Sequence, residues 1–256
     1  MILEANFKEV NHAINADFGT VAVVGGGGSY DQGYADGQQA QENAFWDTHQ
    51  QNGTRTDYQG AFAGVGWTNE FFKPKYDMKP SAATYMFRKT GISGDLVEIL
   101  NNQGVTLDFS NCTNIVEFFS NAPNITRVGV VDIRKAGGNN ANAFAYCGAT
   151  TIDKVIIDET TPFNYFPGVM YDLKEIRFEG TIGKTGMNLK DSKKLSKASI
   201  ESVINALSTT TSGMSITFSK KAVDNAWAGD GESTGSNTSA WNELVESRPN
   251  WTINLV

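Results

Sequence analysis

FSNAPNITRVGVV at residues 119–131, FAYCGATTIDKVII at 144–157 and FPGVMYDLKEIRF at 166–178 carry one order of residue types three times over. Each unit opens on a ring (Phe119, Phe144, Phe166), continues through a small residue (Ala122, Cys147, Val169) and an aliphatic (Ile125, Ile152, Leu173), and closes on an alternating apolar pair. The pairs are Val128 with Val130, Val155 with Ile157, and Ile176 with Phe178. Alternation of apolar and polar residues is the period of a half-buried strand. A ring, a small residue, an aliphatic and a strand in every unit would let successive passes of the chain share one core.

Outward from these units, strand-like pieces also occur at Val105–Phe109, Ser215–Phe218 and Trp251–Leu255. The first four pieces recur every 20 to 26 residues or so, within the period of a leucine-rich repeat. Past Glu179 the pattern lengthens. Ile200, Val203, Ile204 and Leu207 make the apolar stripe of an amphipathic helix, with Ser196 placed to cap its start and Gly213 beyond its end. Two more helices are predicted, from about Lys220 to Trp227 and from about Ala240 to Val245, the latter closed by Pro249. The expected fold class is therefore α/β: a leucine-rich-repeat solenoid of short stacked strands with a helix-strand C-terminal cap, preceded by an N-terminal arm and helix. A sandwich with a buried aromatic set is the competing expectation.

Upstream, Val21–Val24 reads as a short strand and Gly25–Gly28 as a hinge, because four glycines give the backbone almost no preference. Ser29, Tyr30 and Asp31 stand where a phosphate-binding loop needs its Lys-Ser/Thr or its third Gly, so nucleotide binding is not expected. Residues 30–51 read as a helix, in which Gly33 and Gly37 each cost about 1 kcal/mol relative to Ala. Four apart, they share a helix face and would allow close approach of a second copy, or they simply mark a fraying start. Asp31 to Asp36 lacks the alternate acids and closing Glu of a calcium loop. Residues 52–80 are turn-rich and dense in rings, a segment that should pack onto its neighbours. The chain divides accordingly into an attachment arm with glycine linker (1–28), a helix for self-association (29–52), an aromatic connecting and capping segment (53–95), the repeat region (96–195) and the C-terminal cap (196–256).

The 256 residues carry a formal net charge of −7, which argues against nucleic acid as a partner. Cys112 and Cys147 sit in apolar runs as buried hydrophobes rather than as a disulfide scaffold or a zinc site. No membrane span and no secretory leader are expected. His12 and His49 belong to no nucleophile or metal motif and are assigned surface or capping roles. Asp158 with Glu159, or Glu175 with Glu179, has the residue types of a glycosidase pair, but a solvated strand face explains them more simply. Lys184, Lys190, Lys193, Lys194 and Lys197 read as a solubilising patch. No cofactor, no metal and no enzymatic activity are expected.

The repeat resembles the BspA-like leucine-rich-repeat proteins, and Tyr34–Gly37, Phe45-Trp46, Asn52–Arg55, FFKPKY at 71–76, Leu107–Cys112, Ile204–Gly213, Ser219–Trp227 and Arg248–Leu255 together carry a closer resemblance. The closer resemblance is to a group found in prophages and phages of gut Firmicutes, and it covers most of residues 30–256. The resemblance implies a structural or host-recognition component of the tail or baseplate, located in the virion. Its expected partners are other phage tail proteins, through the N-terminal arm, and a host surface glycan or protein. A homo-oligomer, preferably a trimer, is expected, with Gly33 and Gly37 at the contact. The alternative is a bacterial surface adhesin, which would need an export signal and a wall anchor. Strand parity alone places Thr106, Asp108, Lys154, Ile156, Glu175, Arg177 and Glu179 outward as the ligand-binding face, and a one-residue slip would invert it.

Overall fold

The structure, a computed structural model, describes residues 30–228 and 235–256, with residues 30–39 described by backbone alone. The arm and linker expected at 1–28, together with His12, lie outside the described residues. Helix α1 (Tyr30–His49) contains Gly33 and Gly37. A turn-rich segment leads to β1 (Gly94–Asp95) and α2 (Leu96–Asn102), whose start is fixed by the Asp95 carboxylate accepting from the Val97 and Glu98 N–H groups at 2.8 and 3.1 Å. Strands β2 (Ile125–Asp132), β3 (Thr151–Ile156) and β4 (Glu175–Glu179) follow. Then come β5 (Asn188–Leu189), α3 (Lys197–Ala206), β6 (Met214–Phe218), α4 (Lys220–Ala226), α5 (Ser239–Glu246) and β7 (Trp251–Leu255). The Ser196 hydroxyl caps α3, accepting from the Ser199 N–H at 3.2 Å.

This arrangement overturns the expected leucine-rich-repeat solenoid. The strands form two short parallel sheets, one of four in the order β1-β2-β3-β4 and one of three in the order β5-β6-β7, within a small α/β mix that has five α-helices among the described residues. The strand expected at Val105–Phe109 does not enter the first sheet, since Leu107 makes a single bridge to Met78. Its place beside β2 is taken by β1, which the sequence pattern did not mark. The piece at Ser215–Phe218 pairs instead with β5 and β7 in the second sheet.

Strand parity also slips. In β2 the buried apolar residues are Ile125, Val128 and Val131, three apart, so Val130, expected inside, is exposed. Strand β3 buries Ile152 and Val155 with the same step, and its register with β4 shifts between them. Strict alternation would bury every second residue. Here an extra residue in each strand rotates the following side chains by half a period.

What recurs between the strands is a ribbon of overlapping turns. The N–H groups of Ala83, Tyr85, Phe87 and Lys89 donate to the carbonyls of Asn114, Val116, Phe118 and Ser120 at 2.8–3.0 Å, while those of Met86, Arg88 and Thr90 donate back to Ala83, Tyr85 and Phe87 at 3.0–3.2 Å. Ile115, Glu117, Phe119 and Asn121 repeat the outward set, donating to Asn139, Ala141, Ala143 and Ala145 at 2.7–3.0 Å. Alternate N–H groups thus serve the next pass and the local turn, and together these cover the buried donors of the ribbon. This requires left-handed backbone at non-glycine residues, at Tyr85 and Lys89, Glu117 and Asn121, and Asn142 and Tyr146, with φ between 48° and 59°. Each such residue costs on the order of 1 kcal/mol, offset by the hydrogen bonds it permits.

One buried cluster runs from Trp46 to Trp251. Its axis is a column of phenylalanines, one per pass: Phe62, Phe87, Phe119, Phe144 and Phe166, with successive ring centroids 5.2, 5.0, 5.6 and 5.9 Å apart. Cys112 and Cys147 are free and buried, and burial pushes the Cys147 thiol up to about 12. Both behave as small core residues rather than as nucleophiles.

Candidate functional site: the outward face of the four-stranded sheet

Parallel pairing puts side chains from successive strands in rows. Arg127 of β2 lies opposite Thr151 of β3, which lies opposite Glu175 of β4, and Asp132, Ile156 and Glu179 form a second row. Of the residues expected to bind, Lys154, Ile156, Glu175, Arg177 and Glu179 are brought together on β3 and β4. Lys154 and Glu179 form an ion pair, and Arg177 is exposed. Ile156 is half-buried between Asp132 and Glu179.

Glu175 does other work. Its carboxylate accepts from the hydroxyls of Ser196 and Ser199 at 3.0 and 3.1 Å, which ties the start of α3 to β4. Thr106 and Asp108 are exposed but stand outside the sheet. The Thr106 N–H donates to the Asp77 carboxylate at 2.8 Å, and the Asp108 carboxylate accepts from the Ser110 N–H at 2.9 Å. Between Thr106 and β2 runs an apolar groove of about 180 Å³, walled by Val97 and Leu100 of α2, by Leu107, and by Val128 and Val130 of β2.

The sequence reading missed the strongest charged set on this face. The Arg127 guanidinium donates to both oxygens of Asp153 at 2.8 and 2.9 Å and to Asp95 at 3.1 Å, joining three strands. The bidentate fork fixes orientation as well as charge. The signal was present as opposite charges one pass apart, at positions 95, 127 and 153. Asp132 is buried beside Arg134. Burial works to raise its carboxyl, but the hydrogen bonds and charge of Arg134 outweigh that and hold it below the usual carboxylate range. Arg127 with Asp95 and Asp153, Arg134 with Asp132, and Lys154 with Glu179 are therefore committed to one another.

His49, expected at the surface or as a cap, instead packs into the aromatic end of the core. Its ring stacks on Phe45 at 5.5 Å and lies 5.5 Å from Phe62 and 5.4 Å from Trp67, with Arg55 Nη1 at 3.4 Å from Nε2. Burial, and then the Arg55 charge, bring its pKa from 6.5 down to about 4. The unfolded chain takes up this proton near pH 6.5 and the folded chain only near 4, so the His49 contribution is complete above 6.5 and is lost as the pH falls toward 4. Urea unfolding of the wild type across that window should show a fall in stability that His49→Phe lacks. Equal pH dependence in the two proteins would remove the assignment.

No family model, curated protein or solved structure matches the chain. No helix among the described residues is long and apolar enough to cross a membrane.

Proposed function

We propose that this chain is a non-enzymatic structural component of a bacteriophage tail or baseplate, and that the outward face of β2, β3 and β4 recognises a host or tail surface. The observation that carries the reading is the pairing of charge across the face: Arg127 with Asp95 and Asp153, and Lys154 with Glu179. Groups that neutralise one another across strands make a stiff, pre-ordered surface, which lowers the cost of binding a large partner. Acid-base chemistry would instead need carboxylates held apart with displaced pKa values. Outside the strands, Tyr146 and Tyr171 are exposed with ring centroids 6.2 Å apart, aromatic area of the kind that recognition surfaces use. The resemblance of residues 30–256 to prophage proteins supports the viral setting.

On this reading the N-terminal arm docks on other tail proteins, α1 brings copies together as a trimer through Gly33 and Gly37, and no cofactor or metal takes part. Antibody raised against the protein should label the tail tip of particles purified from the source strain. Its absence from particles, with label on the cell envelope, would replace this reading with the adhesin. Combined Ala substitution of Lys154, Arg177 and Glu179 should reduce binding to host cells or tail proteins at least tenfold, about 1.4 kcal/mol or more. Unchanged binding would remove the face from the proposal.

A further inference from the structure

The two sheets do not meet edge to edge. Where the first ends and the second begins, Phe166 bridges Met187, and the chain opens a cleft of about 380 Å³. Its polar wall is made by Asn164, Thr185, Asn188, Ser215 and Thr217, and the partly exposed Tyr165 also lines it. We propose that this cleft binds a neutral sugar residue of a glycan.

Two amides, three hydroxyls and one phenol line the cleft, and no charged side chain does, in a chain that carries 49 Asp, Glu, Lys and Arg residues. An anionic ligand would call for Arg or Lys, and a cation for carboxylates. Amides and hydroxyls both donate and accept, as the hydroxyls of a sugar do. The Tyr165 ring adds an apolar face against which the C–H face of a pyranose can lie, with its own hydroxyl free to hydrogen-bond. The volume lies within the range of small-molecule sites, about 300–1,000 Å³.

The wall is also held in place. Asn140 is fully buried beneath the turn that carries Asn164 and Tyr165, with its amide nitrogen donating to Gly137 and Pro162 carbonyls at 2.8 Å and its oxygen accepting from the Asn164 N–H at 2.9 Å. Opposite, the Thr185 hydroxyl donates to the Ser215 carbonyl at 3.1 Å, and the Asn188 N–H donates to Phe166 at 3.0 Å. Gly186 lets the two sides approach, because a Cβ there would stand 2.3 Å from the Phe163 carbonyl oxygen. Tyr165 itself is held in left-handed backbone at φ 52°, an uncommon state for an aromatic residue. A ring carried on a buttressed turn is what a preorganised contact requires.

The test is an array of neutral hexose and N-acetylhexosamine oligosaccharides printed beside sialylated, sulfated and uronic-acid counterparts, probed with the full chain, Tyr165→Ala and Thr217→Val. Binding should concentrate on neutral glycans, and titration of the best should weaken by about three- to tenfold in each variant, with melting temperature preserved. No neutral glycan bound, a preference for acidic glycans, or affinity unchanged in both variants would each overturn the proposal. Should Tyr165→Ala fail to fold, saturation-transfer NMR on the wild type with the same oligosaccharide must place sugar protons against the Tyr165 ring, and their absence counts the same way. The cleft lies apart from the β2–β4 face. Failure here leaves the tail reading standing, and absence from phage particles leaves the sugar site standing.

Discussion

Gly148→Ala should destabilise the protein by on the order of 4 kcal/mol or more, whereas Gly138→Ala, the same chemical change ten positions away, should leave stability within about 0.5 kcal/mol. A Cβ at Gly148 would lie 1.9 Å from the Pro123 carbonyl oxygen and 2.7 Å from its carbon. Neither atom belongs to a flexible side chain. Pro123 is fixed by its ring, and its neighbour Ala122 is buried and accepts the Gly148 N–H at 3.1 Å. To admit a methyl group, the two passes would have to separate, breaking that hydrogen bond and loosening the β2–β3 pairing that begins three residues later at Thr151. At Gly138 nothing lies within 4 Å of the added atom. Thermal unfolding of the two variants beside wild type decides the matter, and a Gly148→Ala protein melting with Gly138→Ala would mean that the two passes do not touch there.

The same close approach explains how far the sequence could be read. Helices α1, α3, α4 and α5 were legible, α3 most plainly because its apolar stripe and its Ser196 cap are local signals. Helix α2, with Leu96 and Leu100 buried, was not read, because its segment was taken into the repeat region. Strands β2, β3 and β4 were legible as apolar runs, but their step of three at Val128 and Val131 could not be told from alternation, and Val130 was placed inside as a result. The turn ribbons left little mark. Of their six left-handed positions only Asn121 and Asn142 hold a residue type usual there, and Tyr85, Lys89, Glu117 and Tyr146 hold the others. A repeat in residue types was therefore visible while the backbone conformation beneath it was not, and stacked strands were inferred where turns and two separate sheets stand. Of the site, the sequence put Lys154 and Glu179 on the outward face but paired neither them nor Arg127 with Asp153, because pairing one pass apart depends on register rather than on local pattern.

Phe119→Ala should cost about 3–5 kcal/mol, the range for truncating a fully buried aromatic residue. Phe119 has no exposed surface and stands at the middle of the column, against Phe118 at 4.3 Å, Phe87 at 5.0 Å and Phe144 at 5.6 Å. The loss has three parts: transfer of the ring, the cavity left behind, and aromatic contacts worth about 0.5–1.5 kcal/mol each. The site cannot easily collapse, because the Phe119 N–H is held by the Ala143 carbonyl at 2.7 Å and its carbonyl by the Ala122 N–H at 3.2 Å, so the backbone stays while the ring goes. Phe119→Leu keeps most of the volume and should cost less than half as much. Urea titration followed by both tryptophan fluorescence and far-ultraviolet circular dichroism separates two ways the core can respond. Because one buried cluster joins Trp46 at one end to Trp251 at the other, both probes should shift to lower urea together, with the slope unchanged. If the tryptophan signal held its midpoint while the dichroism moved, the two sheets would be unfolding separately, and the column would bind together only the passes it touches.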